Sequence, residues 1–223
     1  MTGRTAAYGR FIASMNLGYM EWHEGTPYDC DALSDVSSDE RAELEDLLIQ
    51  KKDEDWRVSE ALARIGSARA LEALDKSATG PNRVVRIRAS ELLDRMGRPV
   101  DFDGLIVEGL KNAALGQGLA ECERLAARHP SPAVKEALLD GALRSTDGRA
   151  VRFVGILFFL HGKASEPFDW SQRPFFLRFS TDNPRKRRAA FDDLCALLDI
   201  DASPVTGSPT PKSRSGFRWP FGR

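Results

Sequence analysis

A short basic cluster, NPRKRR, occupies residues 183–188. Asn183 followed by Pro184 is a typical helix start, so we expect the cluster to lie in the first turns of a helix. A helix N-terminus favours anions, and cations there are locally unfavourable. The cluster suits binding of an acidic partner or a phosphate group, and a solvated helix end is the alternative, because Asp192 and Asp193 follow. Its candidate contact residues are Arg185, Arg187 and Arg188.

A second stretch, PFDWSQRPFFLRF, places five aromatic side chains within residues 167–179. Aromatic rings beside arginines are typical anchors of protein–protein interfaces. The stretch follows an apolar run, residues 151–160, that needs cover on several sides. We therefore expect most of the rings to plug a hydrophobic core, either with no further role or with a binding surface at their edge. The candidate contact residues are Trp170, Arg173, Phe175, Phe176 and Arg178.

The C-terminal tail, residues 201–223, ends in GFRWPFGR. Its Ser-, Pro- and Gly-rich composition predicts disorder. An aromatic and basic tip on a flexible tether can dock into a groove, and a frayed end without function is the alternative. The candidate contact residues are Phe217, Trp219 and Phe221.

Histidine and cysteine show no catalytic or metal-binding spacing. Three histidines and three cysteines lie far apart in the chain, at His23, His129, His161, Cys30, Cys122 and Cys195. No Ser/His/Asp arrangement, nucleophile elbow or phosphate-binding glycine loop is present. We therefore predict a protein that is not an enzyme and has no cofactor and no metal. Isolated cysteines also favour reduced thiols in a cytoplasm.

Composition and charge are those of an ordinary globular protein. The 223 residues are 42% hydrophobic and 29% charged, with a net charge of −1. Near-neutral charge gives no general attraction to nucleic acid or to an anionic membrane. The apolar run 151–160 is about half as long as a membrane-spanning helix. We expect a soluble cytoplasmic protein without a membrane span.

Helix start and stop signals dominate the chain. Ser37 and Glu40 form a capping box, and Asn82 precedes a predicted helix over residues 83–96 that closes at Gly97. Strand alternation and hairpin turns are nearly absent, which predicts an all-α fold.

Helical segments also repeat. WRVSEALARIG at 56–66 aligns with IRASELLDRMG at 87–97, and residues 119–129 and 148–162 continue the pattern loosely. These segments end 31, 32 and 33 residues apart. With a second apolar helix after each of the first three, the spacing predicts an α-solenoid of about four helical hairpins.

A solenoid needs capped ends, and this divides the chain into four predicted segments. They are an N-terminal helical cap (1–52), the repeats (53–163), an aromatic C-terminal cap with the final helix (164–200) and the disordered tail (201–223). The aromatic and methionine side chains of the N-terminal cap are expected in its core.

The repeats carry a family resemblance. The stretches DWRVSEALARIG, ALEAL and VVRIRASELLDRMG resemble the short bacterial HEAT-like repeats also found in phycobilin lyase subunits, over roughly residues 53–162. The resemblance implies a HEAT-like solenoid. The wider family includes scaffolds, inhibitors, bilin lyases and DNA-repair glycosylases, so the resemblance leaves function open.

Three functions remain open. The first is a non-catalytic module that binds a partner protein as scaffold, adaptor or inhibitor, including a bacterial toxin-neutralising immunity protein. The second is a chromophore-handling protein like the phycobilin lyases. The third is nucleic-acid binding through Arg83, Arg86, Arg88 and the basic residues 185–188. The arginines of the 83–96 helix flank both edges of its apolar stripe, which argues against nucleic acid.

Overall fold

The computed structural model describes residues 3–114, 116–201 and 203–207, and every regular element in these ranges is helical. The prediction of an all-α fold is confirmed. The chain divides into two compact units, residues 1–101 and 102–223. The predicted repeat region, 53–163, therefore has a part in each unit.

The first unit contains six α-helices and one 3₁₀ turn among its described residues. They are α1 (Ala6–Met15), α2 (Tyr19–His23), the 3₁₀ turn Cys30–Ser34, α3 (Ser38–Gln50), α4 (Trp56–Ile65), α5 (Ala68–Ser77) and α6 (Arg83–Arg95). Helix α4 is central, because it packs against α3, α5, α6 and the 3₁₀ turn. Helix α1 packs against the 3₁₀ turn.

The predicted N-terminal caps of α3 and α6 form as the sequence indicates, whereas the predicted C-terminal cap at Gly97 is displaced by one residue. Ser37 and Glu40 make the reciprocal capping box of α3. The Asn82 side chain accepts a hydrogen bond from the Val85 amide at 3.4 Å and begins α6. Helix α6 ends at Arg95, one residue before the predicted end, and Met96 is its C-cap. Met96, the last residue of the predicted helix, is exposed, because the helical period no longer sets its direction beyond the helix end.

The N-terminal aromatic residues do not all enter the core. Phe11 is buried and meets Tyr28 edge to face, with ring centroids 6.2 Å apart. Tyr19, Met20 and Trp22, on the five-residue helix α2, are instead largely exposed. The expectation of a core position was wrong for these three residues, since so short a helix has no face that its neighbours cover.

Arg57 is the largest fully buried polar side chain of the first unit, with 1% of its surface exposed. Its guanidinium donates to the Thr26 carbonyl at 2.6 Å and to the Asp55 carboxylate at 2.9 Å. It also lies over the Trp56 ring, 4.5 Å from the centroid. The arginine therefore ties the segment after α2 to the beginning of α4.

Glu40 makes the stability of the first unit depend on pH. Its carboxylate accepts hydrogen bonds from the Thr5 amide at 2.7 Å and the Ser37 amide at 3.0 Å, and the hydroxyls of both residues donate as well. These bonds, the one from the Thr5 backbone first, lower the pKa of Glu40 from 4.5 to about 2. A carboxylate with a depressed folded-state pKa stabilises the fold above its unfolded pKa and loses that effect as pH falls.

We therefore expect stability to decline as pH falls from 4.5 toward about 2, and the Glu40→Gln variant to show a flatter decline. The variant should also be less stable than the natural chain at neutral pH. Denaturant unfolding at a series of pH values measures both effects. Equal losses of stability in the two proteins over this range would contradict the role assigned to Glu40.

The second unit contains seven α-helices and two 3₁₀ turns among its described residues. They are α7 (Phe102–Asn112), α8 (Leu119–Arg128), α9 (Pro132–Arg144), α10 (Arg149–Leu160), the turn Trp170–Gln172, α11 (Arg173–Phe176), the turn Leu177–Phe179, α12 (Pro184–Leu198) and α13 (Ser203–Thr206). Helix α10 packs against α8 and α9, and α7 also packs against both of these helices. Helices α12 and α13 pack against α9.

The aromatic stretch covers α10, as the sequence predicts. Phe158 of α10 is buried, and its ring centroid lies 5.2 Å from that of Phe175 and 5.0 Å from that of Phe176. Phe176 in turn contacts Phe168 at 5.7 Å. The stretch therefore completes the core of the second unit.

Candidate functional site

A groove of about 440 Å³ lies along α8 and α10 in the second unit. One wall is the segment 167–168, which begins the aromatic stretch. The groove is named here the α8–α10 groove. Its lining residues are Ala120, Glu123, Arg124, Ala127, Arg128, Arg152, Ile156, Phe159, Pro167 and Phe168.

Small residues make room for this groove. Helix α8 turns Leu119, Leu125 and Ala126 into the core and leaves the alanines at 120 and 127 on the groove side. Helix α10 carries Gly155 where the wall segment approaches. A Cβ atom at this position would lie 2.5 Å from the Pro167 carbonyl oxygen, well inside van der Waals contact. The wall therefore rests directly on the main chain of α10.

An ion pair connects the two helices across the groove. The Glu123 side chain is buried, with 8% exposed, and both of its carboxylate oxygens lie 2.8 Å from the Arg152 Nε. Arg152 Nη2 also donates to Glu123. The hydrogen bond to Glu123 raises the pKa of Arg152, so this guanidinium stays charged.

Arg152 nevertheless keeps a donor for a ligand. Its side chain is 44% exposed. Within the part of the chain that the structure describes, Nε and Nη2 bind Glu123, and no protein group accepts a hydrogen bond from Nη1. The buried carboxylate thus fixes the plane of the guanidinium, while the Arg152 side chain as a whole stays partly exposed.

The first unit contains a comparable arginine–glutamate ion pair, in which the guanidinium makes more contacts with the protein than that of Arg152. Arg88 of α6 pairs with Glu60 of α4 and also with Glu91 at 3.6 Å. Its guanidinium lies 5.6 Å from the Trp56 ring centroid. Arg86 donates to the Gly80 carbonyl at 3.4 Å. Two of the arginines considered for nucleic acid are therefore engaged within the protein.

Trp170 stands beside the groove wall and is 65% exposed. Its ring meets Phe168 edge to face at 6.1 Å, and the Arg173 guanidinium lies 4.6 Å from the ring centroid. Asp169 holds the turn, because its carboxylate accepts from the Ser171 amide at 2.9 Å. The hydrogen bonds from Ser171 also lower the pKa of Asp169. Trp170 and Arg173 together are named the Trp170 patch.

The other candidates from the aromatic stretch lie elsewhere. Phe175 and Phe176 are buried, so their rings face the core of the unit rather than a partner. The Arg178 guanidinium lies 5.1 Å from the Phe175 ring centroid and pairs with Asp193. The structure therefore brings only Trp170 and Arg173 of this set to the groove side.

The basic cluster does not form one continuous cationic face. Arg185 is exposed, whereas Arg187 is buried and donates to the Thr181 carbonyl. Arg188 pairs with Asp192 at 2.9 Å. The Asn183 side chain caps the helix by accepting from the Arg185 amide at 3.0 Å. The remaining candidates, Phe217, Trp219 and Phe221, lie outside the described residues.

Among the described histidines and cysteines, one histidine stacks on an aromatic ring, and another histidine and two cysteines have pKa values shifted by burial. The His129 ring stacks on Phe102 at 4.4 Å, and burial lowers the pKa of His161. Burial also raises the pKa of Cys30 to about 11 and that of Cys195 to about 12, so both thiols stay protonated near neutral pH. Over the described ranges, no cluster of three potential metal ligands occurs.

No helix in the described part of the chain is long and apolar enough to cross a bilayer.

Comparison of the sequence with protein-family models, with curated proteins and with solved structures finds no match. Function must therefore be argued from the groove and the patch. The pairing of Glu123 with Arg152 was not predicted, although Glu60 and Glu123 occupy the same place in the aligned repeats and Glu60 also pairs with an arginine.

Proposed function

We propose that this chain is a non-catalytic module that binds a partner protein through the α8–α10 groove and the Trp170 patch. The observation that carries the proposal is Trp170, a large aromatic side chain exposed next to a groove with an apolar floor. Tryptophan and arginine are strongly enriched among hot spots, the few residues that contribute most of the binding energy of a protein interface.

The Trp170 patch has the geometry of such a hot spot. Stacking of Arg173 on the Trp170 ring restricts both side chains before a partner arrives, so less conformational freedom is lost on binding. The ring is also held edge to face against Phe168, which lines the groove. A partner that fills the groove would therefore cover part of the indole and remove it from water.

The proposal fits a HEAT-like scaffold, adaptor or inhibitor of the cytoplasm, of which a toxin-neutralising immunity protein is one form. The sequence repeats and their resemblance to HEAT-like proteins support this assignment. The solenoid of about four hairpins stays a prediction. Nucleic-acid binding has less support, because Arg86, Arg88 and Arg188 bind groups of the protein itself.

Replacing Trp170 with alanine should weaken partner binding by about 30-fold or more, which is the effect of losing a hot-spot residue. The tagged full chain is used to capture partners from its host, and the affinity of each recovered protein is then measured by calorimetry. The melting temperature should stay nearly constant, because Trp170 is mostly exposed.

Trp22→Ala is the matched control, since this tryptophan is 60% exposed but lies in the first unit. It should leave the affinity unchanged. Partners that bind the Trp170→Ala variant as tightly as the natural chain would exclude the Trp170 patch from the interface.

A further inference from the structure

We infer that the first unit carries a second docking surface, at α2, which binds a basic protein segment that has apolar side chains beside its lysines or arginines. This surface is named the α2 patch, and it consists of Tyr19, Met20, Glu21, Trp22 and Glu24. The inference goes beyond the proposed function, because it concerns a different unit and a different occupant from those of the α8–α10 groove.

Exposed apolar side chains are concentrated in the α2 patch. Among the described residues, six large apolar side chains are exposed, and three of them lie within the four residues 19–22. Tyr19, Met20 and Trp22 are each more than half exposed. Tyr19 and Trp22 are also three residues apart, so they are neighbours on the surface of the helix. Singly exposed apolar residues are common, whereas a group of them is more typical of an interaction site.

The segment that carries the patch is fixed at both ends. On its N-terminal side, Leu17 packs against the core of the first unit. On its C-terminal side, the buried Arg57 donates to the Thr26 carbonyl at 2.6 Å and to the Trp22 carbonyl at 3.4 Å. The main chain of α2 is therefore held in place while its side chains face solvent, which reduces the entropy lost when a partner binds.

The sequence around the patch is acidic. No lysine or arginine occurs between residues 11 and 40. Within this range, the segment 17–36 contains five carboxylates, at Glu21, Glu24, Asp29, Asp31 and Asp35.

Arginines from outside the segment neutralise only part of this charge. Arg10 lies 3.5 Å from Asp29 and 3.5 Å from Asp35, and Arg64 lies 3.4 Å from Asp31. Within the described ranges, neither glutamate of the α2 patch forms an ion pair. After both arginines are counted, the segment keeps an excess of three negative charges. Such a potential favours a basic partner and orients it.

Aromatic rings beside carboxylates suit a lysine or an arginine. The cation lies over the face of a ring and donates charge-assisted hydrogen bonds to a carboxylate. The first unit contains this combination internally, because Arg57 lies over the Trp56 ring and pairs with Asp55. Nucleic acids and anionic membranes fit less well, since the carboxylates repel their phosphates.

Three fluorescein-labelled peptides of equal length test the inference with the full chain at neutral pH. Each carries the same leucine and phenylalanine residues, and the other positions are all Lys and Arg, all Asp and Glu, or all Ser and Gln. Fluorescence anisotropy gives the affinities at low and at high salt. We expect the basic peptide to bind at least about tenfold more tightly than the neutral one, and the acidic peptide most weakly. Added salt should reduce this advantage by screening the exposed charges.

Two variants locate the binding at the α2 patch. Trp22→Ala should weaken binding of the basic peptide by about tenfold or more, because it removes the largest ring of the patch. The double variant Glu21→Gln with Glu24→Gln should reduce the advantage of the basic over the neutral peptide to about threefold or less. All three side chains are exposed, so both variants should melt close to the natural chain.

Matched controls change the same chemistry elsewhere in the first unit. Met96→Ala removes another exposed apolar side chain. Glu72→Gln with Asp94→Asn removes two exposed carboxylates, one from α5 and one from α6. Both controls should bind the basic peptide normally, which separates the α2 patch from the net charge of the chain.

Three peptide results would overturn the inference. They are equal affinity for the basic and neutral peptides, undiminished binding by folded Trp22→Ala, and an unchanged basic preference in the double glutamine variant. Sedimentation that shows a dimer of the natural chain, dissociated by Trp22→Ala, would overturn it in favour of a second copy as the occupant. Trp170 lies in the second unit, so loss of partner capture in Trp170→Ala tests the groove separately, and either proposal can fail while the other stands.

Discussion

The Phe158→Ala variant is expected to lose about 3–5 kcal/mol of unfolding free energy, the range for removing a buried phenylalanine. Phe158 is buried and lies at the centre of the aromatic cluster, in contact with Phe175 and Phe176. Truncation at this position creates a cavity between α10 and the stretch that covers it. Neighbouring rings are fixed by their own packing, so they can fill that cavity only in part.

Urea unfolding followed by circular dichroism measures the loss. Trp170→Ala is the matched control, because it removes another aromatic ring near the cluster but one that is mostly exposed. That control should cost well under the Phe158 value. A loss below about 1 kcal/mol for Phe158→Ala would mean that the aromatic stretch does not form the core cover described above.

Replacing Arg57 with leucine should also destabilise the protein, by about 3–5 kcal/mol, which is typical when one partner of a buried ion pair is removed. The change leaves the Asp55 carboxylate without its cation and the Thr26 carbonyl without its donor. Leucine fills part of the volume but cannot bind either group. The segment after α2 should then detach from α4.

Arg64→Ala is the control on the same helix. Arg64 pairs with Asp31, but both side chains are largely exposed, and an exposed pair contributes less than about 1 kcal/mol. Hydrogen exchange adds a local measure, because amides of the 24–29 segment should lose protection in Arg57→Leu and keep it in Arg64→Ala. Unchanged stability in Arg57→Leu would show that the buried arginine contributes little to the fold.

The sequence predicted those features whose physical causes are local. The capping box at Ser37 and the N-cap at Asn82 depend on groups within three residues of each other, so the one-dimensional pattern contains all the information needed. Covering of α10 by the aromatic stretch was also predictable. An apolar helix must be covered, and few other apolar segments were available.

Features that depend on long-range contacts were not predictable in the same way. Burial of Arg57 requires the Thr26 carbonyl, which is 31 residues away along the chain. The groove requires alanines of α8, the glycine of α10 and the 167–168 wall to meet, and none of these has a distinctive sequence signal. Exposure of Trp22 was missed because periodicity identifies an apolar face without showing whether a neighbour covers it.

The absence of a side chain at Gly155 bears on the thermodynamics of recognition. Since the Pro167 carbonyl lies against the α10 backbone, the width of the groove at that rim is set by main-chain contact rather than by rotamers that could rearrange. A rigid rim loses little configurational entropy when a ligand occupies the groove. The ordering penalty of complex formation would then fall mainly on the incoming segment, so that stiffening this segment, rather than the groove, is the more effective route to a tight ligand.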